Sequence, residues 1–319
     1  MDVSDLARWT PVRFNLSTPS PTVDWADLSA ERFSEPFFDQ TVGRWSRGPR
    51  AQPLVRTGLD VLAALDNEPS LDPAGLIFHF SRCGSTLVSQ LLSTVQGVVV
   101  VAEPSPLNAL LGLDPARVDG ATLVRVVRLL LRALGRRRHG DEEHLVLKCT
   151  SWNIRRQEIL TAAFPGTPWV WVQRDPAQVV ASLLAGPPRW LGEHTPPAET
   201  ALRFGIDPAD VPAMSRAEFV ARALGAMLWS ASAGPAGRIC VDHAELPAAV
   251  WQRVAPHFGI DIDEAAIERM TQRSRYSSKD ADPQIFSHGQ QQAALVTEEV
   301  REAVVRFAEA GYRVLGSRP

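Results

Sequence analysis

Cysteine is scarce in this chain of 319 residues: Cys83, Cys149 and Cys240 are all there are, and none has a neighbour at metal-ligand spacing. That gives neither a disulfide framework nor a cysteine-held metal, and it points to a reducing, cytoplasmic compartment. Apolar runs longer than a strand are also missing. The chain opens Met1-Asp2-Val3-Ser4-Asp5 with no basic and apolar leader, so neither a membrane span nor a secretory signal is expected. Net charge is small, −3, which excludes a general nucleic-acid or heparin-like surface field. The local basic run Arg136-Arg137-Arg138 follows Leu129, Leu130, Leu131 and Leu134 and reads as the positive end of a helix. Repeats and charged tails are absent. With 45% apolar residues, a chain of this length buries a substantial core.

The richest stretch is the apolar run 75–80, which breaks at Ser81-Arg82-Cys83-Gly84-Ser85-Thr86 into a segment where Leu87, Leu91 and Leu92 take helical spacing. The run reads as a buried parallel strand. Backbone N–H groups at the start of the following helix lack internal partners and carry the positive end of its dipole, so an anion is favoured there. Ser85 and Thr86 add hydroxyls and Arg82 a fixed charge. A nucleotide triphosphatase loop would need Gly, four residues, then Gly-Lys-Ser/Thr. With Gly84 as the second glycine, His79 falls where the first should be and Ser85 where the lysine should be.

A second strand-like run, 169–173, ends in Arg174-Asp175-Pro176 and leads into a helical pattern containing Ser182. Pro176 suits the first turn of that helix, where a missing N–H costs nothing. Arg174 then stands at the carboxyl end of a strand, the edge where open α/β sheets bind ligands. A third run, 98–102, is β-branched and ends at Glu103; a fourth, within 144–150, carries Lys148 at its end and precedes Ser151-Trp152-Asn153-Ile154, which reads as the start of a capped helix.

On these motifs the chain resembles the sulfotransferases that use 3′-phosphoadenosine 5′-phosphosulfate (PAPS), with the tyrosylprotein sulfotransferase-like and bacterial sulfotransferase group as the nearest pattern. The resemblance spans roughly residues 75 to 246 and, more weakly, the C-terminal stretch. It implies a three-layer α/β/α fold around a central, mostly parallel five-stranded sheet, like that of P-loop nucleoside triphosphate hydrolases. It implies PAPS as co-substrate with no metal. Arg82, Cys83, Gly84, Ser85 and Thr86 would surround the 5′-phosphosulfate, while Arg174 and Ser182 clamp the 3′-phosphate. Two separate anion sites suit a donor phosphorylated at both positions. By the same resemblance Glu103 is the general base on an acceptor hydroxyl, and Lys148, with Arg82, stabilises the leaving oxygen, where charge grows in the transition state.

Other correspondences are looser. Arg238 to Leu246 reads as the fifth strand and its exit, but His243 and Ala244 replace the family's Tyr and Glu, so His243 reads as structural. Ser278 and Lys279 fall where the family's late loop wraps the adenosine, without its Arg-Lys-Gly signature. Of nine tryptophans, Trp169 and Trp171 read as sheet core, and Trp152 and Trp190 as loop residues on which an acceptor could stack. We expect one domain over 1–319: an N-terminal wrap (1–70) packed on the sheet, a nucleotide-binding core (75–246) and a C-terminal helical part (247–319). The acceptor is a hydroxyl-bearing small molecule, sugar or peptide; no nucleic acid or membrane is a partner, and homodimerisation stays open. A P-loop phosphotransferase and a non-catalytic nucleotide-binding scaffold are the competing readings. The first lacks its lysine at Ser85, and the second leaves Glu103 and Lys148 unexplained.

Overall fold

The computed structural model describes residues 8–16, 20–64, 66, 68–188, 191–192, 198–276 and 296–316. The chain begins with β1 (Trp9–Asn15), β2 (Thr22–Asp27), α1 (Phe38–Arg47), β3 (Val55–Gly58) and α2 (Asp60–Ala64). The three strands form an antiparallel sheet with β2 in the middle. The sheet sets its β1 against the core helices Ser105–Leu111 and Gly120–Leu134. Two features hide it from a period-two reading. The β1–β2 register shifts between Pro11 and Arg13, and four successive β2 residues, Val23 to Ala26, are all buried.

The core follows as β4 (Pro73–His79), α3 (Ser85–Leu92), β5 (Val98–Ala102), α4 (Ser105–Leu111), α5 (Gly120–Leu134), β6 (His144–Lys148), α6 (Gln157–Ala163), β7 (Trp169–Gln173), α7 (Pro176–Ala185), α8 (Ala198–Arg203), α9 (Arg216–Ala233) and β8 (Arg238–Asp242). The five core strands are all parallel, in the order β5-β6-β4-β7-β8, and helices flank them. The fold is therefore α/β, as expected. Burial explains the strand sequences: every residue of β7 is buried, as are most of β4 and β6, so continuous apolar runs replace alternation. Phe78 and Phe80 on β4 meet Trp169 and Trp171 on β7 edge to face, with ring centroids 5.6 and 5.5 Å apart. Trp169 and Trp171 are core residues, as their sequence suggested.

The strand order places β4, first of the five in the chain, at the centre, with its successors on both sides. The crevice at its carboxyl end is thus a topological switch point, where such sheets take ligands. Among the described residues no helix is long and apolar enough to cross a membrane.

Candidate functional site

The loop leaving β4 has the geometry of an anion cradle. Arg82 adopts φ 64° and Gly84 φ 91°, both left-handed. Gly84 is the cap residue of α3, so the N–H groups of the first turn point outward at the loop. A side chain at Gly84 is excluded twice: by φ, and because a Cβ there would lie 2.7 Å from Leu246 Cδ1 and 2.8 Å from His243 Nδ1. His243, on the turn after β8, therefore flanks the loop. Ser85 and Thr86 are buried at the helix start.

Arg82 and Arg174 converge on this loop from two elements. The Arg82 guanidinium donates to the Gly186 carbonyl at 2.7 Å, just past the end of α7. Arg174 donates through Nε and Nη2 to Gln178 Oε1 at 3.0 and 2.6 Å, and its Nη1 lies 3.5 Å from the Arg82 carbonyl oxygen. Asp175 is occupied otherwise: its carboxylate caps α7 by accepting from the Gln178 amide at 2.9 Å. Ser182 is buried one turn before Gly186, whose amide donates back to the Ser182 carbonyl at 3.2 Å.

One strand further out stands a second group. Register sets Lys148 beside Ala102 on β5 and Ile77 on β4. Glu103, one residue past Ala102, takes φ 51°, and its amide donates to the Lys148 carbonyl at 2.7 Å. Its carboxylate accepts a short hydrogen bond from the Lys148 ammonium. His79, at the end of β4, brings Nε2 to 3.7 Å from Glu103 Oε1. Its Nδ1 lies 3.1 Å from the Phe80 carbonyl oxygen and its Nε2 2.9 Å from that of Cys149. Lys148 is wholly buried, and Phe37, just before α1, sets its ring 5.1 Å from the ammonium.

The electrostatics follow from this packing. Burial pushes the Glu103 carboxyl up, but Lys148 and then His79 outweigh it and hold the group at about 2. Burial disfavours a charged His79, yet hydrogen bonds to Cys83 and Glu103 prevail over it and over repulsion from Lys148, raising the ring to about 9. Burial also pushes up the Cys149 thiol, helped by Glu103.

No protein-family model matches the chain, and neither does any curated protein. Among solved structures it is similar to a sulfotransferase from Mycobacterium avium, at 14% identity over 66% of this chain and 71% of that one, with a TM-score of 0.42. It is similar to a sulfotransferase from Mycobacterium tuberculosis H37Rv at 14% identity over 76% and 81%, TM-score 0.44. It is also similar to retinol dehydratase solved with retinol and PAP, at 14% identity over 98% of each chain, TM-score 0.37.

Arg82, Cys83, Gly84, Ser85, Thr86, Glu103, Lys148, Arg174 and Ser182 all lie at or just beyond the carboxyl ends of β4 to β7 or on the helices that start there. Ser278 and Lys279 lie outside the described residues, as does Trp190. Trp152 is not open for stacking: it is buried, with the Arg203 guanidinium 4.2 Å over its ring. Two residues of the site escaped sequence reasoning. His79 carried a usable signal, a lone imidazole inside an apolar strand three residues before Arg82, but Phe37 carried none, lying in a stretch without period. Two cavities of about 390 and 470 Å³ open elsewhere, the first beside Val98 and Arg138, the second beside Pro73 and His257. Both lie near the amino edge, and none of the predicted site residues lines either of them.

Proposed function

We propose that the chain is a sulfotransferase that moves the sulfuryl group of PAPS to an acceptor hydroxyl. The observation that carries this reading is the meeting, at one sheet edge, of two arginines on a phosphate loop with a carboxylate bound to a buried lysine. Arg82, the α3 amides, Ser85 and Thr86 hold the 5′-phosphosulfate; Arg174 and Ser182 hold the 3′-phosphate. Separate arginine contacts fit a donor with anions at both ends.

The acceptor oxygen attacks sulfur, the bond from sulfur to the 5′-phosphate oxygen breaks, and the acceptor proton passes to Glu103. Lys148 has three N–H donors, so it can hold Glu103 and still reach the departing oxygen, where negative charge grows. Glu103 held at about 2 has little affinity for a proton. Negative charge brought in by the donor beside Lys148 and His79 offsets their pull and raises that affinity when a base is required.

The experiment is a thermal-shift and transfer pair. Without magnesium, 3′,5′-bisphosphoadenosine stabilises the protein, and labelled PAPS transfers its sulfuryl group to a hit from a hydroxyl library. Stabilisation only by ATP with magnesium would replace this reading with a phosphotransferase; bisphosphoadenosine binding with no transfer to any acceptor would leave a scaffold.

A further inference from the structure

We propose that His79 is a standing imidazolium and a positioning residue: it ties the donor loop to the end of β6 and keeps Glu103 anionic and turned toward the acceptor. Its role in turnover rests on the sulfuryl-transfer reading; its charge does not.

The charge follows from what the ring faces. A neutral imidazole has one N–H and one bare nitrogen. Both ring nitrogens of His79 stand at hydrogen-bond distance from carbonyl oxygens, 3.1 Å at Phe80 and 2.9 Å at Cys149, and a carbonyl can only accept. A bare nitrogen on either side would set lone pair against lone pair in a site only 4% exposed. Both nitrogens must therefore carry protons. Three further groups, besides the residue Cys149 itself, face the ring. Glu103, 3.7 Å away, favours the cation, and so does Cys83 of the phosphate loop; Lys148 opposes it, and Cys149 supplies one of the two carbonyls.

Position makes this charge useful. Phe80 immediately precedes the phosphate loop, and Cys149 immediately follows Lys148. One ring thus spans the element that holds the donor and the element that carries the ammonium, while its charge bears on the carboxylate of a third. Two buried cations against one carboxylate leave the cluster with net positive charge, before either arginine is counted, at the point where a sulfuryl group would arrive.

The test begins with the wild-type protein. In a ¹⁵N imidazole NMR titration His79 should remain doubly protonated from pH 6 to 8; titration below pH 8 overturns the proposal whether or not the protein is an enzyme. His79→Gln, which keeps donors but not charge, should lower kcat about tenfold to a hundredfold, the span of one charge-assisted hydrogen bond. It should also remove the alkaline fall of the wild-type kcat profile near pH 9. An unchanged alkaline limb in a folded His79→Gln variant overturns the positioning role. If the ring is charged but calorimetry finds no bisphosphoadenosine binding, the sulfuryl-transfer reading fails and takes the positioning role with it, while the charge assignment stands.

Discussion

Arg82 and Glu103 are the non-glycine residues with positive φ among those described, and both had been singled out for chemistry on sequence grounds alone. Such backbone is held against a local cost of about 1–3 kcal/mol, and it clusters where side chains must be aimed. For Arg82 this separates stability from function. Arg82→Gly relieves the left-handed strain, so the melting temperature should stay level or rise slightly, while affinity for bisphosphoadenosine falls by about tenfold or more, read by calorimetry on the same sample. Glu103→Gln should leave donor affinity near wild type and lower single-turnover transfer by about a hundredfold to ten-thousandfold. Unchanged transfer would remove Glu103 as the base. Composition adds a further clue, since Lys148 and Lys279 are the only lysines in an arginine-rich chain, and both fall where the family resemblance places ligand contacts. Lys148 is fully buried, in register between Ala102 and Ile77.

Elements explain why some of this was readable and some was not. β4, β6 and β7 are buried almost throughout, and β5 over its last three residues, so these strands are short apolar runs, and a charged residue at or just past the end of β5, β6 and β7 marks the carboxyl edge. Arg174, Glu103 and Lys148 were legible for that reason. His79 was not, because a polar residue inside such a run looks like a core histidine until the neighbouring strands supply Glu103 and Cys149. The N-terminal sheet was illegible because its bulge and its doubly buried β2 destroy alternation. Two predictions belong to this scale. Arg174→Ala, at the head of α7, should cost about tenfold to a hundredfold in bisphosphoadenosine affinity and erase the preference over AMP in calorimetry; a retained preference would exclude the clamp. Phe37→Ala, in the segment leading into α1, should lower kcat severalfold in steady-state assays with little change in KM for the acceptor, since its ring lies on the Lys148 ammonium proposed to stabilise the departing oxygen.

At the scale of the whole molecule, the cluster makes stability depend on pH from both sides. Glu103 is held at about 2 against an ordinary 4.5, so its contribution is complete above pH 4.5 and is lost as pH falls toward 2. His79 is raised to about 9 from 6.5, so its contribution is complete below pH 6.5 and disappears as pH rises through 9. Unfolding measured by differential scanning calorimetry should therefore show the cluster at full strength between about pH 4.5 and 6.5. The decline from pH 6.5 to 9 should flatten in His79→Gln but persist in Arg174→Ala; equal declines in the two variants would assign that window to other groups.

The crowding around Gly84 bears on how the protein is born. The loop that begins at Ser81 leaves the ribosome before Leu246 and His243, which press on Gly84 and are synthesised about 160 residues later. At about 5–20 residues per second that delay is on the order of ten to thirty seconds. A nascent chain stalled before residue 240 would carry every arginine of the donor site and yet lack the wall that confines it. The order of synthesis therefore leaves the loop at Gly84 without that wall until β8 and the turn after it have emerged.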